Sequence, residues 1–318
     1  MSMSHPGAAQ FQLKRRLRRL RRVIGGTLRG KGWSAEPLLI AEKTYNTDHL
    51  DYEPELVRNF PDRIQNLDRG GTNPLLRELC RLAHGGKVPR RVWEQVQRDV
   101  MEEARTVPGF EQVMERKTYI ESYLAELGQR YQSHFIAGWV NLSDAQFLYW
   151  IVRQIKPKTI VQTGVSNGLS SAFMMLALAK NGPQGRLSVI DLPAVFDPAD
   201  PKWTRAGVVH GFVIPHGKSS GWIVPDIYRE RFNVEIGDAK VLLPALIDRL
   251  DTVDMFYHDS DHTYNHMVFE FEQAKRKLAP NGVVVADDIS WNASLWDFAD
   301  KYGMASYNYC GSMGVAFN

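Results

Sequence analysis

The chain reads as an α/β protein: a doubly wound, mostly parallel sheet preceded by a helical region. Three observations predict it. From residue 141 onward, short runs rich in β-branched and aromatic residues alternate with helix-length amphipathic segments. KTIVQTG (158–164), VDMFYHD (253–259) and GVVVADD (282–288) are near-continuous apolar runs, as strands buried on both faces are. Each run closes on a glycine or an aspartate, at the strand end where an open parallel sheet gathers its ligands.

The N-terminal third is different in kind. Residues 1–35 hold nine lysines and arginines and no acid. With the whole chain at +3, the rest therefore carries −6. That body is mildly acidic, so no nucleic acid is expected in the active site. LKRRLRRLRRVI (13–24) aligns Leu13, Leu17, Leu20 and Ile24 on a narrow stripe of a very basic helix. One reading is an anchor on an anionic membrane surface or partner. The other is a solvated arm, or one packed on a subunit neighbour. GGTLRGKGW (25–33) reads as a flexible link. Residues 36–140 read as a helical accessory region, with helices at 74–86, 92–104 and 118–131, and this region would suit a homo-oligomer. No run approaches the ~18 apolar residues of a spanning helix, and the N-terminus lacks the apolar core of a secretory signal. Cys80 and Cys310 make no disulfide framework. The expectation is a cytoplasmic protein, peripheral to a membrane if the arm anchors it.

Residues 141–318 then follow in order. Ser143 is placed to cap the helix DAQFLYWIVRQI. Strand 158–164 leads to helix 170–182, strand 186–193 ends at Pro193, and strand 232–238 leads to helix 239–250 despite Pro244. Strand 253–259 precedes helix 264–279, strand 282–288 precedes helix 294–303, and MASYNY with MGVAFN closes as a hairpin. The connection 192–231 is long and proline-rich, which reads either as a lid with Lys218 and Trp222 as ligand contacts or as an ordered insertion.

The strand ends carry the chemistry. Gly164-Val165-Ser166-Asn167-Gly168 lets backbone approach a ligand before a helix starts, but Ser166 breaks the dinucleotide fingerprint and no P-loop lysine follows. A plain strand-to-helix turn has the same composition. Asp191 is placed to accept hydrogen bonds from both hydroxyls of a ribose, or to face solvent. Asp238 either lies near a nucleobase or caps the next helix. Asp259 and the Asp287-Asp288 pair end two strands that should be neighbours; crowded carboxylates repel, and oxygen donors suit Mg²⁺, Mn²⁺ or Ca²⁺. They also read as independent acids facing water. His262, three residues past Asp259, suits a general base beside a metal, or a packing role. His258 points to the other side of its strand and Asp261 suits a helix cap.

VQTGVSNGLSS, VIDLP, EIGDA, FYHDSDHTY and LAPNGVVVADDI together resemble the class I S-adenosylmethionine-dependent methyltransferases. Within them the run is similar to the metal-dependent O-methyltransferases related to macrocin O-methyltransferase, with catechol O-methyltransferase more distant. The resemblance covers about 141–318 and implies a seven-stranded sheet whose last strand is antiparallel. It implies S-adenosyl-L-methionine bound by Gln162, Gly164, Ser166, Gly168, Ser170, Asp191, Asp238 and Asp259. It implies Mg²⁺ or Mn²⁺ held by Asp259, Asp287 and Asp288, with His262 as catalytic base and a small-molecule hydroxyl (sugar, phenol or natural-product intermediate) as substrate. Gln162 stands where that family usually carries an acid. Some relatives are described as hydroxylases, so the fold does not fix the reaction. Two rival readings remain open here: a glycosyltransferase using Asp259-Ser260-Asp261 as a D-x-D metal site, and a tethered binding module led by the basic arm.

Overall fold

The computed structural model describes residues 90–289, 291–309 and 313–318. The basic arm, the linker, the helix expected at 74–86, Cys80 and Cys310 lie outside the described residues.

Two helices come first, α1 (Arg90–Arg105) and α2 (Phe110–Tyr131), followed by the short strand β1 (His134–Phe135) and α3 (Leu142–Ile155). The α/β unit proper begins with β2 (Thr159–Thr163), α4 (Leu169–Asn181) and β3 (Arg186–Asp191). The long connection holds β4 (Ala194–Val195), the one-turn α5 (Pro201–Thr204), β5 (Val209–His210), β6 (Val213–Ile214) and a 3₁₀ turn at Asp226–Arg231. Then come β7 (Phe232–Ile236), α6 (Ala239–Asp248), β8 (Val253–His258), α7 (Tyr264–Lys275), β9 (Leu278–Ala286), α8 (Ser294–Tyr302), β10 (Ala305–Tyr309) and β11 (Met313–Phe317).

The main sheet has seven strands in the order β10-β11-β9-β8-β2-β3-β7. Only β11 runs antiparallel to its neighbours β9 and β10. The expected α/β class, the parallel core and the closing hairpin are all present. The strand order reverses between β2 and β8, and this crevice is where such sheets bind ligands.

Side-chain alternation explains how one sheet serves two cores. Ile160, Met255, Tyr257, Val283 and Val285 pack to one face. Val161, Phe256, Val284 and Ala286 pack to the other, against α6, α7 and α8. The first face also receives Val96, Val100, Val113, Ile120 and Leu124 of α1 and α2. The described part of the helical region thus shares the sheet's core, and residue 140 is not a boundary between cores. Each fully buried Ile, Val or Phe contributes about 1.5–3 kcal/mol, which is why these helices stay docked. Among the described residues, no helix is long and apolar enough to cross a membrane.

One capping expectation changes. Asn141, not Ser143, caps α3, accepting the Asp144 N–H at 3.0 Å. Ser143 lies inside the helix, where its hydroxyl takes a hydrogen bond from Gln97 of α1.

Candidate active site

The glycine loop after β2 is forced by contact. Gly164 has φ +75°, and a Cβ there would stand 1.9 Å from the carbonyl oxygen of Asp259. Only glycine allows that backbone to touch the end of β8. Gly168 has φ +95°, and its Cβ would stand 2.6 Å from Gly221 Cα. Between them Ser166 also takes a left-handed conformation, φ +50°.

A cavity of about 240 Å³ opens above this loop. Of the eight residues expected to hold a cofactor, Gly164, Ser166, Asp191, Asp238 and Asp259 wall it. The other three do not. Gln162 is fully buried beneath the loop: its Nε2 donates to Gly164 O at 2.7 Å and Ser170 Oγ at 2.9 Å, and its Oε1 accepts from Ser171 Oγ at 2.7 Å. Gln162 and Ser170 therefore hold the loop from below. Gly168 turns toward Gly221.

Asp191 is buried, with one donor on each oxygen. Val165 N–H donates to Oδ1 at 3.0 Å and the Ser220 hydroxyl to Oδ2. Asp238 caps α6, accepting Lys240 N–H at 2.8 Å, and also lines the cavity. Asp261 accepts Thr263 N–H at 3.0 Å just before α7 and walls the cavity together with Asp259.

At the ends of β8 and β9 the acids gather around a histidine. His262 Nε2 lies 3.8 Å from Asp259 Oδ1 and 4.0 Å from Asp288 Oδ2. Asp287 N–H donates to His258 O at 3.0 Å, which brings the acidic pair alongside β8. Burial raises the Asp259 carboxyl well above the usual range, and the charges of Asp287 and Asp288 add to it. Burial also lowers His262 to about 3, with His258 adding to the effect. His262 rests against Trp291, ring centres 5.0 Å apart, and its Nδ1 has no hydrogen-bond partner. Asp288 holds φ +51°, a conformation that non-glycine residues rarely adopt. Among the described residues, no three His, Cys, Asp or Glu side chains close to metal-binding geometry.

A second polar cluster escaped the sequence reading. Glu270 of α7, fully buried, accepts from Thr163 Oγ1 at 2.6 Å and Ser260 Oγ at 2.8 Å. His258 Nδ1 and His266 Nε2 stand at 2.6 and 2.8 Å from the same carboxylate. Burial alone would raise Glu270, but the His258 charge and these hydrogen bonds outweigh it and bring it to about 2. A carboxylate only accepts, so both facing nitrogens carry protons. Burial pulls His266 down, yet the bond to Glu270 wins and its pKa is raised. The cluster ties α7 to the ends of β2 and β8, and His266 reaches the cavity wall. Gly138 and Phe212 also wall it; neither was singled out from sequence.

The insertion 192–231 is built as an ordered element. Trp222 is buried, and its Nε1–H donates to Asn167 Oδ1 at 2.9 Å, behind the glycine loop. Lys218 sits 4.9 Å over the Trp222 ring. Neither walls the cavity, so the lid reading with these two contacts is corrected. Leu192, Pro193, Ala194 and Phe212 face the cavity instead.

Residues 161–289 match the family model described as a methyltransferase domain. The chain carries a methyltransferase domain. The match starts in β2 and ends just past the Asp287-Asp288 pair, so it takes in both groups of strand-end residues. No curated protein matches the chain. Among solved structures it is similar to the O-methyltransferase TomG of Streptomyces achromogenes, solved with SAM (17% identity, TM-score 0.43, covering 73% of this chain and 99% of that one). It is also similar to an O-methyltransferase of Bacillus cereus, solved with SAH (15%, 0.41, covering 57% and 84%). A methyltransferase of Podospora anserina gives 10% and 0.43, covering 72% and 96%. At these scores the likeness adds nothing to the topology already described. The methyltransferase assignment rests on the family match.

Proposed function

We propose that this methyltransferase transfers a methyl group from S-adenosylmethionine to a hydroxyl of a small molecule, assisted by a divalent cation. One observation carries the reading: Asp259 both walls the cavity and lies 3.8 Å from His262 Nε2. The nucleoside side and the acidic side are thus one site. The donor types suit both ligands. Asp191 keeps acceptor capacity for ribose hydroxyls, and Asp259, Asp287 and Asp288 offer the hard oxygens that Mg²⁺ or Mn²⁺ prefers. Burial first, and then the charges of Asp287 and Asp288, raise the Asp259 carboxyl.

When bound, the sulfonium of S-adenosylmethionine supplies an electrophilic methyl, and the cation supplies charge that acidifies a hydroxyl. The chain's own residues do the rest. Asp191 and the loop 164–166 orient the nucleoside. Asp259, Asp287 and Asp288 would hold the cation. His262, at about 3, is neutral throughout the physiological range, so Nε2 is free to take the hydroxyl proton. The acceptor oxygen then bonds to the methyl carbon as the carbon–sulfur bond breaks. Pre-orientation of both reactants supplies much of the rate.

The test is transfer of labelled methyl from S-adenosylmethionine to a panel of phenolic, sugar and natural-product hydroxyls, with Mg²⁺ and with chelator. Transfer abolished by chelator supports the whole reading. Transfer unaffected by chelator removes the cation, and transfer only to nitrogen or carbon removes the O-methyl assignment.

A further inference from the structure

Ser220, Gly221, Trp222 and Ile223 lie along the back of the glycine loop as a strap, holding the loop at three points and Asp191 at a fourth. The Ser220 hydroxyl donates to Asp191 Oδ2. Gly221 N–H donates to Ser166 O at 2.9 Å, and Ile223 N–H to Asn167 O at 3.2 Å. Trp222 Nε1–H donates to Asn167 Oδ1 at 2.9 Å.

The strap is fastened in turn from α2. The Arg116 guanidinium donates to the carbonyls of Trp222 at 2.8 Å and Val224 at 3.0 Å, and pairs with Asp226 at 3.0 Å. Arg229 reaches the same two carbonyls at 3.2 and 3.1 Å. Tyr119 meets the Trp222 ring edge-on, centres 5.8 Å apart. A continuous polar path therefore runs from α2, through the strap, to a carboxylate on the cavity wall.

We propose that Ser220, seated by Arg116, is the positioning residue for Asp191, so that nucleoside affinity is controlled from α2 as well as from the cavity. Ser220 is buried and does not wall the cavity, so it acts only through Asp191. A carboxylate has about four acceptor sites. Val165 N–H takes one on Oδ1 and Ser220 takes one on Oδ2. One on each oxygen remains, with the carboxylate plane fixed by the two donors. Two adjacent ribose hydroxyls need both oxygens presented together, and a plane already fixed loses no rotational freedom when they bind. The inference rests on the cofactor reading above for the identity of the ligand, and on the hydrogen bonds alone for the positioning.

S-adenosylhomocysteine is titrated calorimetrically into the full chain and its Ser220→Ala, Ser220→Thr and Arg116→Ala variants. Hydrogen exchange at the Val165 and Gly221 amides is followed without ligand. Loss of one hydrogen bond to a charged group predicts a Kd about tenfold higher in Ser220→Ala, with Ser220→Thr restoring it to within about twofold. Arg116→Ala raises Kd by roughly threefold or more and speeds exchange at both amides. In turnover the Ser220→Ala loss falls on KM for the cofactor and not on kcat. Wild type that binds, with Kd and exchange unchanged in Ser220→Ala, overturns the positioning role and leaves the cofactor reading standing. Wild type that does not bind, with faster exchange in the variants, overturns the ligand and leaves the hold on Asp191 standing. If Arg116→Ala does not fold, the two serine variants decide alone.

Discussion

Asp191 ends β3 and Asp259 follows β8, the two strands that flank β2, yet their surroundings are opposite. Each oxygen of Asp191 has a donor, Val165 N–H and the Ser220 hydroxyl. Asp259 faces Asp287, Asp288 and a neutral His262, and its carboxyl is held well above the usual range by burial and by those acids. Glu270, fully buried, shows the other extreme: the His258 charge and the hydrogen bonds of His258 and His266 outweigh burial and bring it to about 2. Burial alone therefore does not decide a carboxylate's state; the donors supplied to it do. On the proposed function, the Asp191 end is set up for a neutral, hydroxyl-bearing ligand, and the Asp259 end for a positive charge.

The largest effect should come from removing the best-satisfied carboxylate. Glu270→Ala leaves two buried histidines without their partner, and breaking such a cluster costs about 3–5 kcal/mol. Melting should fall by roughly 10 °C or more, read by circular dichroism. An unchanged melt would mean that the cluster does not hold α7 to the sheet.

His262→Ala comes next and probes the Asp259 end. Turnover should fall at least about 100-fold, while S-adenosylhomocysteine binds within about twofold of wild type, because His262 does not wall the cavity. Turnover that survives would reassign the base. The same variant has a pH signature. His262 is lowered from 6.5 to about 3 in the folded chain. The unfolded chain takes up that proton first, so stability is present above pH 6.5 and is lost as pH falls toward 3. Glu270, lowered from 4.5 to about 2, adds a second loss between those values. His262→Ala should flatten only the upper part of the acid limb.

The smallest effect has the opposite sign. Asp259 is raised above 3.8, so the folded chain loses stability as pH rises through the raised value. Asp259→Asn should therefore raise the melting temperature at neutral pH by a few degrees, about 1 kcal/mol. It should also remove the upward shift that millimolar Mg²⁺ gives wild type. A variant that melts lower, or still responds fully to Mg²⁺, would sink the idea of an acidic end waiting for charge.

Most of this was legible in the chain. The apolar runs, the glycines that permit φ +75° at Gly164 and φ +95° at Gly168, and the acids at strand ends are local signals, and they located the sheet and both ends of the site. What escaped is long-range. Ser220 meets Asp191 across 29 positions, and Thr163 meets Glu270 across 107. His266 and Glu270 did leave a trace, a histidine and an acid four apart on one helix, which pair on a shared face. Strand alternation does not say whether an inward amide such as Gln162 meets a ligand or its own loop. A loop's composition does not show whether a residue such as Trp222 packs or swings.

The most direct test of the contrast between the two ends is calorimetric titration of S-adenosylmethionine into the full chain and its Asp191→Ala variant, with and without Mg²⁺. We expect binding near the micromolar level in wild type, indifferent to Mg²⁺, and weakened at least about tenfold in Asp191→Ala. No binding at millimolar ligand, or equal affinity in the variant, would contradict a nucleoside end built around Asp191.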